Sequence, residues 1–427
     1  QFDWYTIAKT KESFTTHCPI DRRFIDRCHS MGVRCFPYVV FFMGPDLCTF
    51  GPIQSNTYEG VEWKNHHYLF ELDKDGNERL YPFVDPETGN ILSDGVGVQF
   101  PELPKLVCPN VETYHVMMIN WVEYIMQQGA DGIFVDVLRN REGCYAPHPH
   151  IYGYSRNDPD NIAMMSQNKA FALLLKKVRK TVKNYRSNGL IIGNSGDPLN
   201  LGGNSPPEFQ EYLDADTIES YIIYGDRQQT WNYTNITWDE FGVMLQPYLA
   251  QGKQVLTITN IINTPPYSVR DNAFLTYCNA RLAGFTWYGS PAFVDLPPEC
   301  KEIPLACIDL KAAFVDLQQI RLGKPLTQQL IDQTTGLRYR IFENGVITVN
   351  WDTQYAKDFL AQNVISSALG EEPQKFQFII DLYSNPNSTS PTIIDLSMNP
   401  ILPIPAYSGR VFLFGSSTDY GLNYLIA

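Results

Sequence analysis

One pattern recurs along much of the chain: an amphipathic helix ends at a glycine, and a short apolar run follows at once. The glycines are Gly32, Gly129, Gly189, Gly252 and Gly284, and the runs cover residues 33–42, 132–137, 190–194, 254–260 and 285–288. Glycine enters the left-handed conformation that stops a helix at little steric cost. A continuously apolar run of this length suits a strand buried on both faces. The helices have matching periodicity. Tyr114, Met118, Trp121, Val122 and Ile125 share one face, with Asn110 as a candidate N-cap, and Phe171, Leu174, Leu175, Val178 and Val182 share another. Thr237-x-x-Glu240 has the form of a capping box opening the helix that reaches Ala250.

Helices alternating with buried strands make a parallel sheet with helices outside. Eight strands can be placed, near residues 2–7, 33–42, 105–108, 132–137, 190–194, 216–224, 254–260 and 285–288. Eight is the number that closes a (β/α)8 TIM barrel. Neither G-x-G-x-x-G nor G-x-x-x-x-G-K-[ST] occurs, which disfavours the α/β sheets built to hold nucleotides. Residues 45–104 depart from the unit. Within them, 68–73 and 78–83 flank Asp75-Gly76, a hairpin signal, so the stretch is expected as an insertion after the second strand, over the barrel mouth. After Lys324-Pro325 the pattern changes again. Residues 337–342, an Asn344-Gly345 turn and residues 346–350 read as a hairpin, with further strands at 376–382, 392–396 and 410–414. The expected organisation is a barrel over 1–325 and an all-β sandwich over 326–427.

Composition narrows the partners. Of 427 residues, 46 are acidic and 33 basic, a net charge of −13 with no Lys/Arg run, which argues against nucleic acid. Aromatic content of 13% and only 19% charged residues exclude wholesale disorder. No apolar stretch reaches the roughly 18 residues of a membrane span. The nine cysteines show no CxxC pair and no zinc-finger spacing. Four lie within the first 48 residues, and Cys300 and Cys307 flank a short Pro-containing loop. In an exported protein these read as local disulfides, with Cys278 on a helical pattern as a buried free thiol. N-glycosylation triplets begin at Asn232, Asn235 and Asn387. Together these features favour a secreted or extracytoplasmic protein, with Gln1 opening a mature or trimmed chain. No cofactor and no metal are expected. His66-His67 lies in the insertion, and His148-Pro-His150 reads as a surface turn. The absence of a G-x-S-x-G elbow disfavours a serine hydrolase.

Barrel active sites lie at the carboxyl ends of the strands, so the reactive side chains there carry the function. Strand four ends Val135-Asp136-Val-Leu-Arg139, and strand five Asn194-Ser-Gly-Asp197. Strand six runs Asp216-Thr-Ile-Glu219-Ser-Tyr221, strand seven ends at Asn260, and strand eight at Trp287-Tyr288. An Asp closing an apolar strand is costly unless it faces a polar mouth. Asp136 and Glu219 are therefore the candidate catalytic pair. In glycoside hydrolysis one carboxyl protonates the leaving oxygen and the other attacks the anomeric carbon or activates water. Tyr38, Trp287 and Tyr288 are candidates to stack on sugar faces, and Asn194 and Asn260 to bond hydroxyls. Arg139, Asp197 and Tyr221 complete the expected substrate contacts. Asp131, at the start of strand four, is expected at the opposite rim in a structural role.

At these residues the chain resembles a known group. Ala130-Asp131-Gly132-Ile133-Phe134-Val135-Asp136 is similar to the fourth strand of several secreted (β/α)8 glycosidases, among them the endo-α-1,4-polygalactosaminidase type and, more distantly, the α-galactosidase-like group. Asn194-Ser-Gly and Glu219-Ser also resemble the polygalactosaminidase type, whose fourth-strand Asp and later Glu map onto Asp136 and Glu219. In the α-galactosidase-like group the acid/base is a sixth-strand Asp, where this chain offers Glu219, with Asp216 three residues earlier. Leu402-Pro-Ile-Pro-Ala-Tyr-Ser-Gly409-Arg-Val-Phe resembles the closing strand of sandwiches appended to such barrels. The resemblance implies a carbohydrate substrate and a glycosidase acting on O-glycosyl bonds. Two other readings share the aromatic mouth: a non-catalytic carbohydrate-binding or structural barrel, and a transglycosidase on the same site.

Overall fold

The computed structural model describes residues 22–30, 32, 34–39, 41, 57–58, 61–62, 70–79, 106–136, 138, 140–195, 206–218, 222–224, 226–227, 236–261, 269–291, 317, 320–361, 365, 378–383, 392–398 and 400–415. The expected first strand (2–7), the asparagines of the three glycosylation triplets, and Cys18, Cys48, Cys300 and Cys307 lie outside them. Two compact units emerge, residues 1–218 with 252–254, and residues 219–251 with 255–427.

The first unit runs α1 (Arg22–Ser30), β1 (Tyr38–Val39), the antiparallel pair β2 (Thr57–Tyr58) and β3 (Val61–Glu62), α2 (Glu112–Gln127), β4 (Gly132–Val135), α3 (Asp160–Tyr185), β5 (Leu190–Gly193), the single turn α4 (Pro207–Gln210) and β6 (Ala215–Ile218). β1, β4, β5 and β6 lie side by side in that order, all parallel; Tyr38 faces Phe134, Phe134 faces Ile192 and Ile192 faces Ala215. The expected helix faces are the buried ones. Tyr114, Met118, Trp121, Val122 and Ile125 of α2, and Phe171, Leu174, Leu175, Val178 and Val182 of α3, are all at most 4% exposed. Phe41, just past β1, meets Trp121 and Phe171 edge-on at 6.5 and 6.4 Å, which seats both helices on the strand layer. Each such side chain taken from water contributes roughly 1.5–3 kcal/mol.

Gly32, Gly129, Gly252 and Gly284 have φ of +70°, +99°, +77° and +87°, as helix stops require. Gly189 serves differently. A Cβ there would stand 2.8 Å from Val182 Cγ1 and 3.0 Å from the Arg186 carbonyl, so the position is set by close packing. Asp131 closes the amino end of β4. Its carboxylate takes the Cys35 N–H at 2.7 Å, lies 2.8 Å from His29 Nε2 and accepts from Arg186, tying α1, β1 and the end of α3 together in the structural role expected of it.

Two expectations in this unit need correction. Asn110 does not cap α2, whose N-cap position is Val111 with no side-chain bond. Its amide instead brackets Tyr152, donating to the carbonyl and accepting from the N–H, each at 2.9 Å. Residues 105–108 are not a parallel strand. Leu106 and Val107 pair antiparallel with the hairpin at 70–79, through Glu71 N to Leu106 O and Leu106 N to Arg79 O, both 2.9 Å. The run is three apolar residues long and stops at Pro109, and the hairpin takes both backbone groups of Leu106.

The second unit contains the pair β7 (Ile223–Tyr224) and β8 (Asp226–Arg227), α5 (Trp238–Met244), α6 (Gln246–Ala250), β9 (Gln254–Ile261), α7 (Val269–Ala283) and β10 (Thr286–Pro291). β9 and β10 are parallel, from Leu256 opposite Thr286 to Ile261 opposite Pro291. The Thr237–Glu240 capping box is formed, and Pro247 restarts the helix after Leu245. The remainder is all-β: β11 (Leu330–Ile331), β12 (Arg338–Phe342), β13 (Gly345–Asn350), β14 (Lys357–Leu360), β15 (Phe378–Asp381), β16 (Thr392–Asp395), β17 (Ile401–Ile404) and β18 (Ser408–Gly415). Six strands form an antiparallel sheet in the order β11-β12-β13-β18-β15-β16, and β14 pairs with β17. Leu337, Ile341, Val346, Phe359, Ile379, Ile404 and Phe412 fill one core between these two sheets. Phe342 pairs with Gly345, so the turn is Glu343-Asn344, one residue earlier than the Asn-Gly signal suggests. β18 packs on α7: a Cβ on Gly409 would stand 2.6 Å from the Phe274 carbonyl and 2.8 Å from Cys278 Cβ. Cys278 is a buried free thiol, pushed up by burial, as its helical pattern implies.

Candidate active site

The backbone ladder of the first unit brings three side chains to one point. Asp136 follows the last residue of β4, and its N–H bonds the Val39 carbonyl at 2.8 Å. Asn194 follows the last residue of β5, with its N–H on Val135 O at 2.8 Å and its carbonyl on Leu138 N at 3.0 Å. Tyr38 opens β1, its ring stacked on Phe134 at 5.9 Å and 18°. From these positions the Tyr38 hydroxyl donates to Asp136 Oδ2, and the Asn194 amide donates to Oδ1 at 2.6 Å. Asn194 is buried; Asp136 and Tyr38 are half-buried. A carboxylate gripped on both oxygens, at the carboxyl end of a parallel strand, has a defined orientation.

A second carboxylate stands on the next strand. Asp216 of β6 is fully buried and accepts from Ser195 N at 3.0 Å, Ser195 Oγ at 2.5 Å, Gln210 Nε2 at 2.5 Å and Thr217 N at 2.8 Å. Burial pushes its carboxyl above the ordinary range, and the Ser195 and Gln210 bonds oppose that shift. Asn194 and Ser195 thus reach in opposite directions, one to Asp136 and the other to Asp216. Enclosed by four donors, Asp216 positions the end of β5.

The loop that begins at Asp136 is held by the hairpin at 70–79. Arg141 Nη2 bonds Glu71 Oε1 at 2.6 Å with both side chains buried. Arg79 bonds Glu142 and, at 3.1 Å, the Gly143 carbonyl, and Tyr145 N bonds Leu72 O at 2.8 Å. Burial pushes Glu71 up to about 7 against the pull of Arg141. The hairpin turn has Gly76 at φ +89°, with the Asp73 carboxylate taking the N–H groups of Asp75 and Asn77 at 2.9 and 2.8 Å. Part of the expected insertion therefore lies against the loop following β4.

Of the residues singled out from sequence, Tyr38, Asp136 and Asn194 come together. The Asn194 amide, expected to meet a sugar hydroxyl, is bound to Asp136. Arg139, Asp197, Glu219 and Tyr221 lie outside the described residues. Asn260 and Tyr288 are placed by backbone only, in β9 and β10. Trp287, expected to stack on a sugar, is 7% exposed, and its Nε1 donates to Thr276 Oγ1 of α7 at 3.0 Å with Tyr277 edge-on at 5.5 Å. Two features escaped sequence reasoning. One is the donor cage of Asp216, whose partner Gln210 carries no motif. The other is a group formed by Cys108, Cys144, His148 and His150, whose ligand atoms lie within 4.8 Å of one another. Its only local signal was Cys144-x-x-x-His-x-His.

No family model matches the chain, and no curated protein matches it. Among solved structures it is similar to Amy13B of Eubacterium rectale, with 11% identity and TM-score 0.48 over 92% of this chain and 81% of that one. It is similar to the Nostoc punctiforme debranching enzyme, with 14% identity and TM-score 0.47 over 92% and 78%. It is also similar to α-L-fucosidase isoenzyme 2 of Paenibacillus thiaminolyticus, with 14% identity and TM-score 0.39, covering 64% of this chain and 36% of the fucosidase.

Proposed function

We propose that this chain is a secreted glycoside hydrolase that cleaves O-glycosidic bonds of an oligo- or polysaccharide on a (β/α)8 barrel. The observation that carries the reading is the Asp136 carboxylate, fixed by Tyr38 and Asn194 at the carboxyl end of a parallel strand. In this mechanism Asp136 attacks the anomeric carbon or stabilises the oxocarbenium-like transition state. Glu219, on the chain just past β6, protonates the leaving oxygen and then draws a proton from water. The Tyr38 hydroxyl and the Asn194 amide hold the Asp136 oxygens, so that little reorganisation accompanies the change of charge. A Glu219 acid needs a carboxyl raised by burial or by a neighbouring carboxylate. These roles are those of a retaining enzyme, with carboxyls roughly 5–5.5 Å apart; at the ~6.5–9.5 Å of an inverting enzyme Asp136 would instead activate the attacking water.

The test is release of reducing sugar from a panel of neutral, acidic and amino-sugar polysaccharides. Asp136→Asn and Glu219→Gln should each lower turnover at least about a thousandfold on the responsive substrate, with the circular dichroism spectrum unchanged. Full turnover in a folded Asp136→Asn protein would end this assignment.

A further inference from the structure

The group of cysteines and histidines has the composition and dimensions of a metal site. Cys108 and Cys144 are both 0% exposed, yet they are 36 residues apart and share no local motif. Cys108 precedes α2, and Cys144, His148 and His150 lie on the loop that begins at Asp136. One ligand atom from each of the four lies within 4.8 Å of all the others, and Cys144 Sγ stands 3.5 Å from His148 Nε2. Tetrahedral zinc with Zn–S of about 2.3 Å and Zn–N of about 2.0–2.1 Å puts its ligand atoms roughly 3.3–3.8 Å apart. The cluster needs only a small contraction to reach that geometry.

The surroundings fit a metal better than four unrelated polar groups. Nε2 of His150 is buried without a hydrogen-bond partner, an expensive state for an imidazole nitrogen. Gln167 is fully buried and donates through Nε2 to Cys108 Sγ at 3.3 Å and to Tyr154 Oη at 2.8 Å. Tyr154 in turn accepts the Cys144 N–H at 2.8 Å and lies flat on the His150 ring at 4.9 Å and 12°. An N–H donor aimed at sulfur and rings locked by stacking are the outer supports that ligating thiolates and imidazoles require.

We infer that Cys108, Cys144, His148 and His150 bind one zinc ion. Two thiolates and two imidazoles form a closed, neutral Cys2His2 set, with no position left for water, so the ion is structural. Binding replaces the two S–H bonds with Zn–S bonds, and both protons pass to solvent. The ion pins the loop that begins at Asp136 to the segment entering α2.

The test uses the whole chain, reduced, stripped with chelator, dialysed against Zn(II) and freed of excess. Elemental analysis should find about one zinc per chain, and two thiols that react in the stripped protein should become protected. Cys144→Ser and His150→Ala should each weaken zinc binding at least about a hundredfold, and Gln167→Ala about ten- to a hundredfold. Absence of zinc from the wild-type protein overturns the inference, whatever the variants do. So does a disulfide joining Cys108 to Cys144 in the protein as isolated, found as a cross-linked peptide by mass spectrometry. Zinc retained undiminished in folded Cys144→Ser and His150→Ala proteins overturns it as well, since the ion would then sit elsewhere.

Discussion

The side-chain amide of Asn194 donates to Oδ1 of Asp136 at 2.6 Å, joining the ends of two adjacent parallel strands. Both partners are held by their own backbone bonds, so the amide acts on a fixed carboxylate. A hydrogen bond to a charged group contributes about 1.5–3 kcal/mol. Asn194→Ala should therefore lower kcat about 10–150-fold on the responsive substrate, with KM little changed. Steady-state kinetics with a melting curve would check it. A rise in KM alone would mean that Asn194 meets the sugar, as its sequence position first implied.

Tyr38 holds the other oxygen. Tyr38→Phe keeps the stack on Phe134 at 5.9 Å and removes only the hydroxyl. We expect kcat to fall at least about tenfold, with stability within about 1 kcal/mol of wild type. The double variant Tyr38→Phe/Asn194→Ala should lose less than the product of the single effects, because both act through one carboxylate. Full multiplicativity in the cycle would contradict that shared role.

Asp216 is fully buried and gathers four donors. Asp216→Ala strands them, and each unsatisfied buried group costs about 1–3 kcal/mol. Urea unfolding should show a loss of at least about 3 kcal/mol. Asp216→Asn keeps one acceptor oxygen and should lose less. An Asp216→Ala protein as stable as wild type would show that the cage relaxes freely.

Much of the architecture was legible because it is periodic. The α2 and α3 faces, the helix stops at Gly32, Gly129, Gly252 and Gly284, and the capping box are local patterns with local physical causes. Asp136 was legible for a related reason: a carboxylate ending an apolar strand has few tolerable environments. What escaped depends on contacts distant in sequence. Asn110 has the chemistry of a cap, but the loop at Tyr152 offered it two bonds where the helix offered one. Trp287, expected at the end of a strand, is the second residue of β10, and Thr276 gives its N–H a buried partner. No local pattern links Cys108 to Cys144, because only the folded chain brings them together.

His115 supplies a prediction in pH. Its ring is fully buried on α2, with Nε2 2.7 Å from the Pro109 carbonyl and Nδ1 3.2 Å from Lys177 Nζ. These partners suit a neutral ring that donates through Nε2 and accepts the ammonium proton at Nδ1. Burial pulls the imidazole down from 6.5 to about 4, and the neighbouring Lys177 charge adds to the shift. The folded state therefore prefers the neutral form. The stability this contributes is complete above the unfolded value of 6.5 and is lost as pH falls through about 4. Over that window the loss is on the order of 3 kcal/mol. His115→Gln keeps a donor for Pro109 and an acceptor for Lys177 without a titratable ring. Urea midpoints at several pH values should fall less steeply for that variant than for wild type. Equal slopes in the two proteins would mean that His115 does not set acid stability.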